Sequence, residues 1–268
     1  MPVLDINGNR IHYDTLGQGP WLTLSSSLAA DISLWDGQMA ALTPYFSVLR
    51  YDMRGHGRSS IAEDACGFGD LTADVLGLWD ALGIARSHFV GLSIGGMIGQ
   101  HLALAAPERL DRLVLCSTSS GYGDKGSANR EAVAKLWEQR IAQARAGGMA
   151  AMVEGTLGRW FTEAYRLEEA EVMARIGAMI QNTSLAGYAA CGRAVAGMDT
   201  TDRLGRIAMP TLVLVGDEDA GTTPAMVASI AAAIPGARYE NIPQASHLLN
   251  IEQEDLFNTL LLAFLGVL

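Results

Sequence analysis

The sequence predicts an α/β protein: a mostly parallel central sheet with helices on both faces and an inserted helical cap. Three observations predict it. Short strand-like runs alternate with amphipathic helical patterns along most of the chain, the signature of a sheet built from β–α units. The interior runs HFVGL, RLVLCST and TLVLVG are apolar on both faces, as strands covered from both sides must be. The alternation breaks across residues 125–202, which hold several helical patterns and no convincing strand.

The elements follow in order. VLDINGNRIHYDTLG places two alternating runs around Asn7-Gly8, a dipeptide whose backbone preference suits a hairpin turn. WLTLSSSL (21–28) and FSVLRYD (46–52) read as strands, separated by a helix containing Trp35. LTADVLGLWDALG (71–83) has helical spacing and a glycine stop. A strand at 88–92, a helix at 94–106, strands at 112–118 and 211–216, a helix at 224–234, the strand ARYENIP and a helix at 251–265 complete the pattern. The division is a first core part (1–124), the cap (125–202) and a second core part (203–268).

The 268 residues are 49% apolar and 18% charged, enough apolar surface for one large folded domain. The N-terminal stretch lacks a signal pattern and no run is long enough for a membrane span, so a cytoplasmic location is expected. A net charge of −10 argues against nucleic acid or an anionic membrane as partner. A small-molecule substrate is expected, with the oligomeric state open. Cys66, Cys116 and Cys191 have no metal-type spacing and are expected to be structural. No cofactor and no metal are expected.

Gly91-Leu92-Ser93-Ile94-Gly95 spells G-x-S-x-G where a strand ends and a helix begins. A nucleophile elbow needs that location, because the tight turn lifts the serine hydroxyl clear of the sheet edge. A glycine-rich turn without chemistry would carry the same five residues, so partners decide. A serine needs a base, and the base an orienting carboxylate, which in this arrangement follow in the order Ser, acid, His. Only His101 and His247 follow Ser93. His101 lies roughly 12 Å along the same helix and cannot reach, leaving His247. The acid falls in the loop after Gly216, which offers Asp217, Glu218 and Asp219. Spacing does not separate Asp217 from Asp219. One oxyanion donor is expected from the Ile94 amide, the other from Ser26-Ser27-Leu28.

The segments SSSLAADISLWDGQM, RYDMRGHGRSS, HFVGLSIGGMIGQ, APERLDRLVLCST, LWEQRIAQARAGGM, GRWFTEAY, GYAACGRAVAGMD, VGDEDAGTTP and ASHLLNIE span nearly the whole chain. Through them it resembles the α/β-hydrolase superfamily, and within it the 3-oxoadipate enol-lactonases. The resemblance implies a cofactor-independent carboxylic-ester hydrolase that opens a carboxylate-bearing enol-lactone in aromatic catabolism. Its G-x-x-D pattern falls on Gly216 and Asp219, favouring Asp219 as the acid, and it places Leu28 as an oxyanion amide. The chain has Ala29 where the family pattern has Gly. Arg54-Gly55-His56-Gly57-Arg58-Ser59 matches a mainly structural loop. A carboxylesterase or C–C bond hydrolase on the same triad is the alternative, and a non-catalytic ligand-binding member of the fold a more distant one.

In EAVAKLWEQRIAQARA, residues Val133, Leu136, Trp137, Ile141 and Ala144 make one apolar stripe. Arg140 falls on that stripe, and an inward-facing charge needs a partner. A cap carboxylate or the carboxylate of the substrate would each serve. Trp137 and Trp160 are candidate pocket walls.

Overall fold

A computed structural model describes residues 2–61, 66–123 and 126–268. The hairpin forms as expected, β1 (Val3–Ile6) pairing antiparallel with β2 (Asn9–Leu16). Asn7 and Gly8 take the positive φ that a two-residue turn requires. The strands β3 (Trp21–Ser25), β4 (Ser47–Tyr51), β5 (Ser87–Leu92), β6 (Leu110–Cys116), β7 (Thr211–Gly216) and β8 (Arg238–Ile242) continue the sheet. Its order is β1-β2-β4-β3-β5-β6-β7-β8, antiparallel at β1–β2 and β2–β4 and parallel thereafter. Every residue of β5 and β7 is buried, as the two-sided apolar runs demand.

The core helices are α1 (Asp36–Leu42), α2 (Phe68–Ala81) and α3 (Ile94–Ala105). Between β6 and β7 lie α4 (Ala128–Gly147), α5 (Val153–Trp160), α6 (Glu163–Glu168), α7 (Ala170–Gln181) and α8 (Leu185–Ala196). The chain closes with α9 (Pro224–Ala233), α10 (Leu249–Glu252) and α11 (Glu254–Leu265). Helix α1 packs with α11 and α2 with α3, while α4 packs on α8 and α5 on α7. The segment expected to be helical is so among its described residues; the boundary at 124/125 lies outside the described residues.

Strand β3 ends at Ser25 and not at 28, β6 runs from Leu110 to Cys116 and not over 112–118, and α2 begins at Phe68 and not at 71; two helices differ in form as well. The helix containing Trp35 is a 3-10 turn (Ile32–Trp35) followed by α1, because Asp31 caps the turn by accepting from the Ser33 N–H. The helix expected at 251–265 is two helices, broken at Gln253 with φ −127° and ψ 54°. Beyond β4, Asp52 explains the arginine–glycine loop. Its carboxylate accepts from the Ile32 and Arg58 N–H groups at 2.8 and 2.9 Å and meets His12 Nδ1 at 2.7 Å. His56 sits fully buried in that loop, its pKa pushed down to about 4 by burial. It stays neutral and structural. Among the described residues no helix is long and apolar enough to cross a membrane.

Candidate active site

Ser93 occupies the single residue between β5 and α3, at φ 59° and ψ −116°. A non-glycine residue held there stores strain, which persists only where its surroundings fix it. The fixing contacts are specific. The Ser93 N–H donates to Cys116 O at 2.8 Å, and its carbonyl accepts from Met97 N–H and from Thr118 Oγ1 at 3.1 and 2.7 Å. The flanking glycines serve a close approach: a Cβ on Gly91 would collide with the Gly95 backbone, and one on Gly95 with the Ser25 carbonyl.

Ser93 and His247 line one cavity of about 360 Å³, a size suited to a small organic ligand. His247 Nδ1 lies 2.8 Å from Asp219 Oδ2. Because a carboxylate only accepts, the neutral ring donates from Nδ1 and keeps the Nε2 lone pair free. Asp219 is 2% exposed and held from several sides. Its Oδ1 accepts from the Gly221 and Thr222 N–H groups at 2.8 and 2.9 Å, and its Oδ2 from Thr222 Oγ1 at 2.6 Å. Burial alone raises the Asp219 pKa, but the His247 charge and these hydrogen bonds win and hold it at about 2. Asp217, the open alternative in sequence, is exposed and reaches only as far as the Ala245 N–H at 3.4 Å.

Leu28 lies in the turn after β3 and lines the same cavity. The turn is tied down by Ser26 Oγ, which donates to Asp31 O and accepts from Trp35 Nε1, both at 3.1 Å. The next residue, Ala29, has φ +64°. That left-handed backbone is the physical reason a glycine is at home there. Ile94 is the first residue of α3, so its amide has no partner within the helix. Ile94 follows Ser93 directly in the chain, and Leu28 shares the cavity with it.

The helices between β6 and β7 contribute much of the wall. Val133, Leu136, Trp137 and Arg140 of α4 line the cavity, while Ile141 and Ala144 of the same stripe are buried behind them. Trp160 lines it too, 7% exposed. The Arg140 guanidinium stacks over the Trp137 ring, 4.9 Å from its centroid. The cap arginines Arg130 and Arg193 pair with Asp199 and Glu138. Among the described residues Arg140 has no carboxylate within ion-pair distance. Burial pushes its pKa down, with Tyr188 and Tyr122 opposing.

Sequence reasoning missed Arg159. It lines the cavity from the last turn of α5, where it donates to Thr156 Oγ1 at 2.9 Å. It too lacks a carboxylate partner among the described residues, and its pKa is lowered by burial and then by the charge of Arg140. The available signal was its place beside Trp160 in GRWFTEAY.

Residues 20–254 match the alpha/beta hydrolase fold family. The 3-oxoadipate enol-lactonase 2 of Acinetobacter baylyi is 33% identical, over 92% of this chain and 90% of its own length. Among solved structures, the enol-lactonase from Burkholderia xenovorans LB400 superposes with a TM-score of 0.92 and 40% identity, covering 98% of this chain and 99% of that one. A thermophilic esterase from Thermogutta terrifontis, with malate bound, superposes with a TM-score of 0.91 and 26% identity, covering 98% and 97%. An elbow serine between strand and helix, an eight-stranded sheet in this order and a family match across most of the chain have one reading: the chain belongs to the α/β-hydrolase family.

Proposed function

We propose that this α/β hydrolase is a serine hydrolase that opens the ring of a small, carboxylate-bearing enol-lactone, with Ser93, His247 and Asp219 as its triad. Residues 125–202 act as a cap that supplies the substrate wall. The observation that carries the substrate class is the pair of half-buried arginines, Arg140 and Arg159, in the serine's own cavity, which pair with no carboxylate among the described residues. Guanidinium groups stay charged under all ordinary conditions, and a desolvated charge without a partner is costly. In a chain of net charge −10, that cost is offset when an anionic ligand binds. The similarity to enol-lactonases points the same way.

In this reading Ser93 Oγ attacks the lactone carbonyl while His247 Nε2 takes its proton. Asp219 holds the imidazolium that forms. The Leu28 and Ile94 amides stabilise the tetrahedral oxyanion, each such donor being worth roughly 10²–10³ in rate. The ring C–O bond breaks, the enolate leaves and is protonated, and an acyl group remains on Ser93. His247 then activates water to release it. Arg140, backed by Trp137, receives the free carboxylate, and Arg159 stands as a second cation in the same cavity.

A carboxylesterase on the same triad is the competing reading, favoured by the likeness to the Thermogutta enzyme. Purified protein assayed on an enol-lactone and on a neutral ester of similar size separates them. Arg140→Ala is expected to raise KM for the anionic lactone roughly 30-fold, the loss of about 2 kcal/mol from a desolvated ion pair, and to leave the ester unchanged. Equal effects on both substrates would sink the carboxylate assignment. Fluorophosphonate labelling that survives in Ser93→Ala would sink the nucleophile, and mass-spectrometric trapping of acyl-Ser93 separates covalent catalysis from direct attack by water.

A further inference from the structure

The three cysteines were expected to be inert structural residues, but two of them meet across the cap. Cys66 Sγ lies 3.7 Å from Cys191 Sγ, although 125 positions separate them in sequence. Cys66 stands just before α2 on the core side and is partly exposed; Cys191 is in the middle of α8 and fully buried. The two backbones are already in close register nearby. Gly55 and Gly187 approach so tightly that a Cβ on either would collide with the other. The core side is anchored by the buried Arg54–Asp74 ion pair at 2.7 Å and by the Asp70 carboxylate, which accepts from the Gly67 N–H.

We propose that Cys66 and Cys191 are a reversible modification site, a dithiol that a hydroperoxide oxidises to a disulfide stapling helix α8 of the cap to the core. A disulfide has its sulfurs about 2.05 Å apart, so closure asks for an approach of about 1.7 Å, within reach of side-chain rotation. The two thiols are unequal. The Cys191 hydrogen bond and the nearby Arg54 charge lower the Cys66 pKa against burial, Asp70 and Asp74. The same pairing and full burial hold Cys191 well above the ordinary thiol range. Cys66, the exposed member, is the attacking group.

The Cys66 thiolate attacks one peroxide oxygen, the O–O bond breaks and hydroxide leaves, giving a sulfenic acid. Cys191 sulfur then attacks Cys66 sulfur and gives up its proton, the S–O bond breaks, and water departs. Two electrons have passed from the two sulfurs to the peroxide. A small dithiol returns both thiols by exchange. Helix α8 has a reason to matter. Tyr188 and Val195, three residues before and four after Cys191, line the catalytic cavity. Gly192 packs against the Trp137 ring, 3.0 Å from where a Cβ would sit.

The test treats the full-length protein with stoichiometric hydrogen peroxide. The expected result is a fall from three to one titratable thiols after denaturation, and a mass lower by two hydrogens. Peptide mapping should join the segments holding residues 66 and 191. The melting temperature should rise by roughly 5 °C from cross-linking a long loop, and dithiothreitol should reverse it. Cys66→Ala and Cys191→Ala should each abolish the shift, and Cys116→Ala should keep it. Three thiols remaining, or Cys66 passing to sulfinic acid without a link to Cys191, would overturn the proposal. The wild-type peptide map decides the matter even if a variant folds poorly.

Discussion

Replacing Asp219 with Asn keeps the shape of the carboxylate and changes one group. Oδ1 accepts from two backbone N–H groups, those of Gly221 and Thr222. The Asn carbonyl must take that position, because its NH₂ there would leave two buried donors unpaired at about 1–3 kcal/mol each. The NH₂ then occupies the Oδ2 position, 2.6 Å from Thr222 Oγ1 and 2.8 Å from His247 Nδ1. There it donates to the ring. His247 is forced to carry its proton on Nε2, the nitrogen that should receive the proton of Ser93. The same wrong-tautomer logic in a serine protease is worth roughly 10⁴ in kcat. About 10⁴ is therefore expected here, roughly 5.5 kcal/mol of barrier, with KM little changed. Asp217→Asn should leave kcat within about twofold, since that carboxylate is at the surface. Steady-state kinetics on a chromogenic ester, with a thermal melt to verify folding, reads both variants. An Asp219→Asn enzyme within tenfold of the parent would refute the assigned roles of Asp219 and His247.

Further outcomes follow from the same geometry. Asp219 has a folded pKa of about 2 against an ordinary 3.8, so its contribution is complete above 3.8 and is lost as pH falls towards 2. About 2 kcal/mol of stability should disappear over that window, and acid titration of Asp219→Asn should lack that part of the loss. Ala29→Gly relieves the φ of +64°; net of the added freedom of the unfolded chain, about 0.5–1 kcal/mol should be gained. A lower melting temperature would contradict that account. Glu252→Gln keeps the packing but replaces one acceptor by a donor facing an N–H group, at Thr162 or at Ser246. It should cost about 2 kcal/mol in denaturant unfolding and lower kcat more than it raises KM; an unchanged kcat would show that the contact holds structure only.

The strand-to-helix turn at Ser93 and most strand positions were legible in the sequence, because those depend on local pattern, and chain order singled out the histidine that lies in the serine's cavity. TLVLVG is β7 residue for residue, and IGGMIGQHLALA is α3. The choice between Asp217 and Asp219 was not legible in spacing, because it depends on which carboxylate the loop turns inward. Arg140 was legible because a charge on an apolar stripe is an anomaly at helical spacing. Arg159 was not: it sits at the end of a short, half-exposed helix, where an arginine is ordinary until its partners are known. The Cys66–Cys191 approach spans the cap and the core, and no local pattern encodes such a distance.

The segment proposed as a cap and the loop that holds His247 are joined by hydrogen bonds as well as by the shared cavity. Leu248 N–H donates to Trp160 O at 3.0 Å, and Ser246 Oγ to Arg159 O at 3.3 Å. Glu252 closes the strap, one carboxylate oxygen accepting from Thr162 N–H at 2.8 Å and the other from Ser246 N–H at 2.6 Å. Burial raises its pKa, opposed by those same two N–H groups. The residues on either side of His247 are thus bonded to the segment from which Arg159 and Trp160 line the cavity. A cap displacement large enough to withdraw that wall would stretch the bonds that aim the imidazole. Two discrete arrangements of such a strap would therefore be read together by substrate binding and by proton transfer. This is a physical reason for the base of a capped hydrolase to follow its cap in space while lying nearly ninety residues beyond Arg159 in sequence.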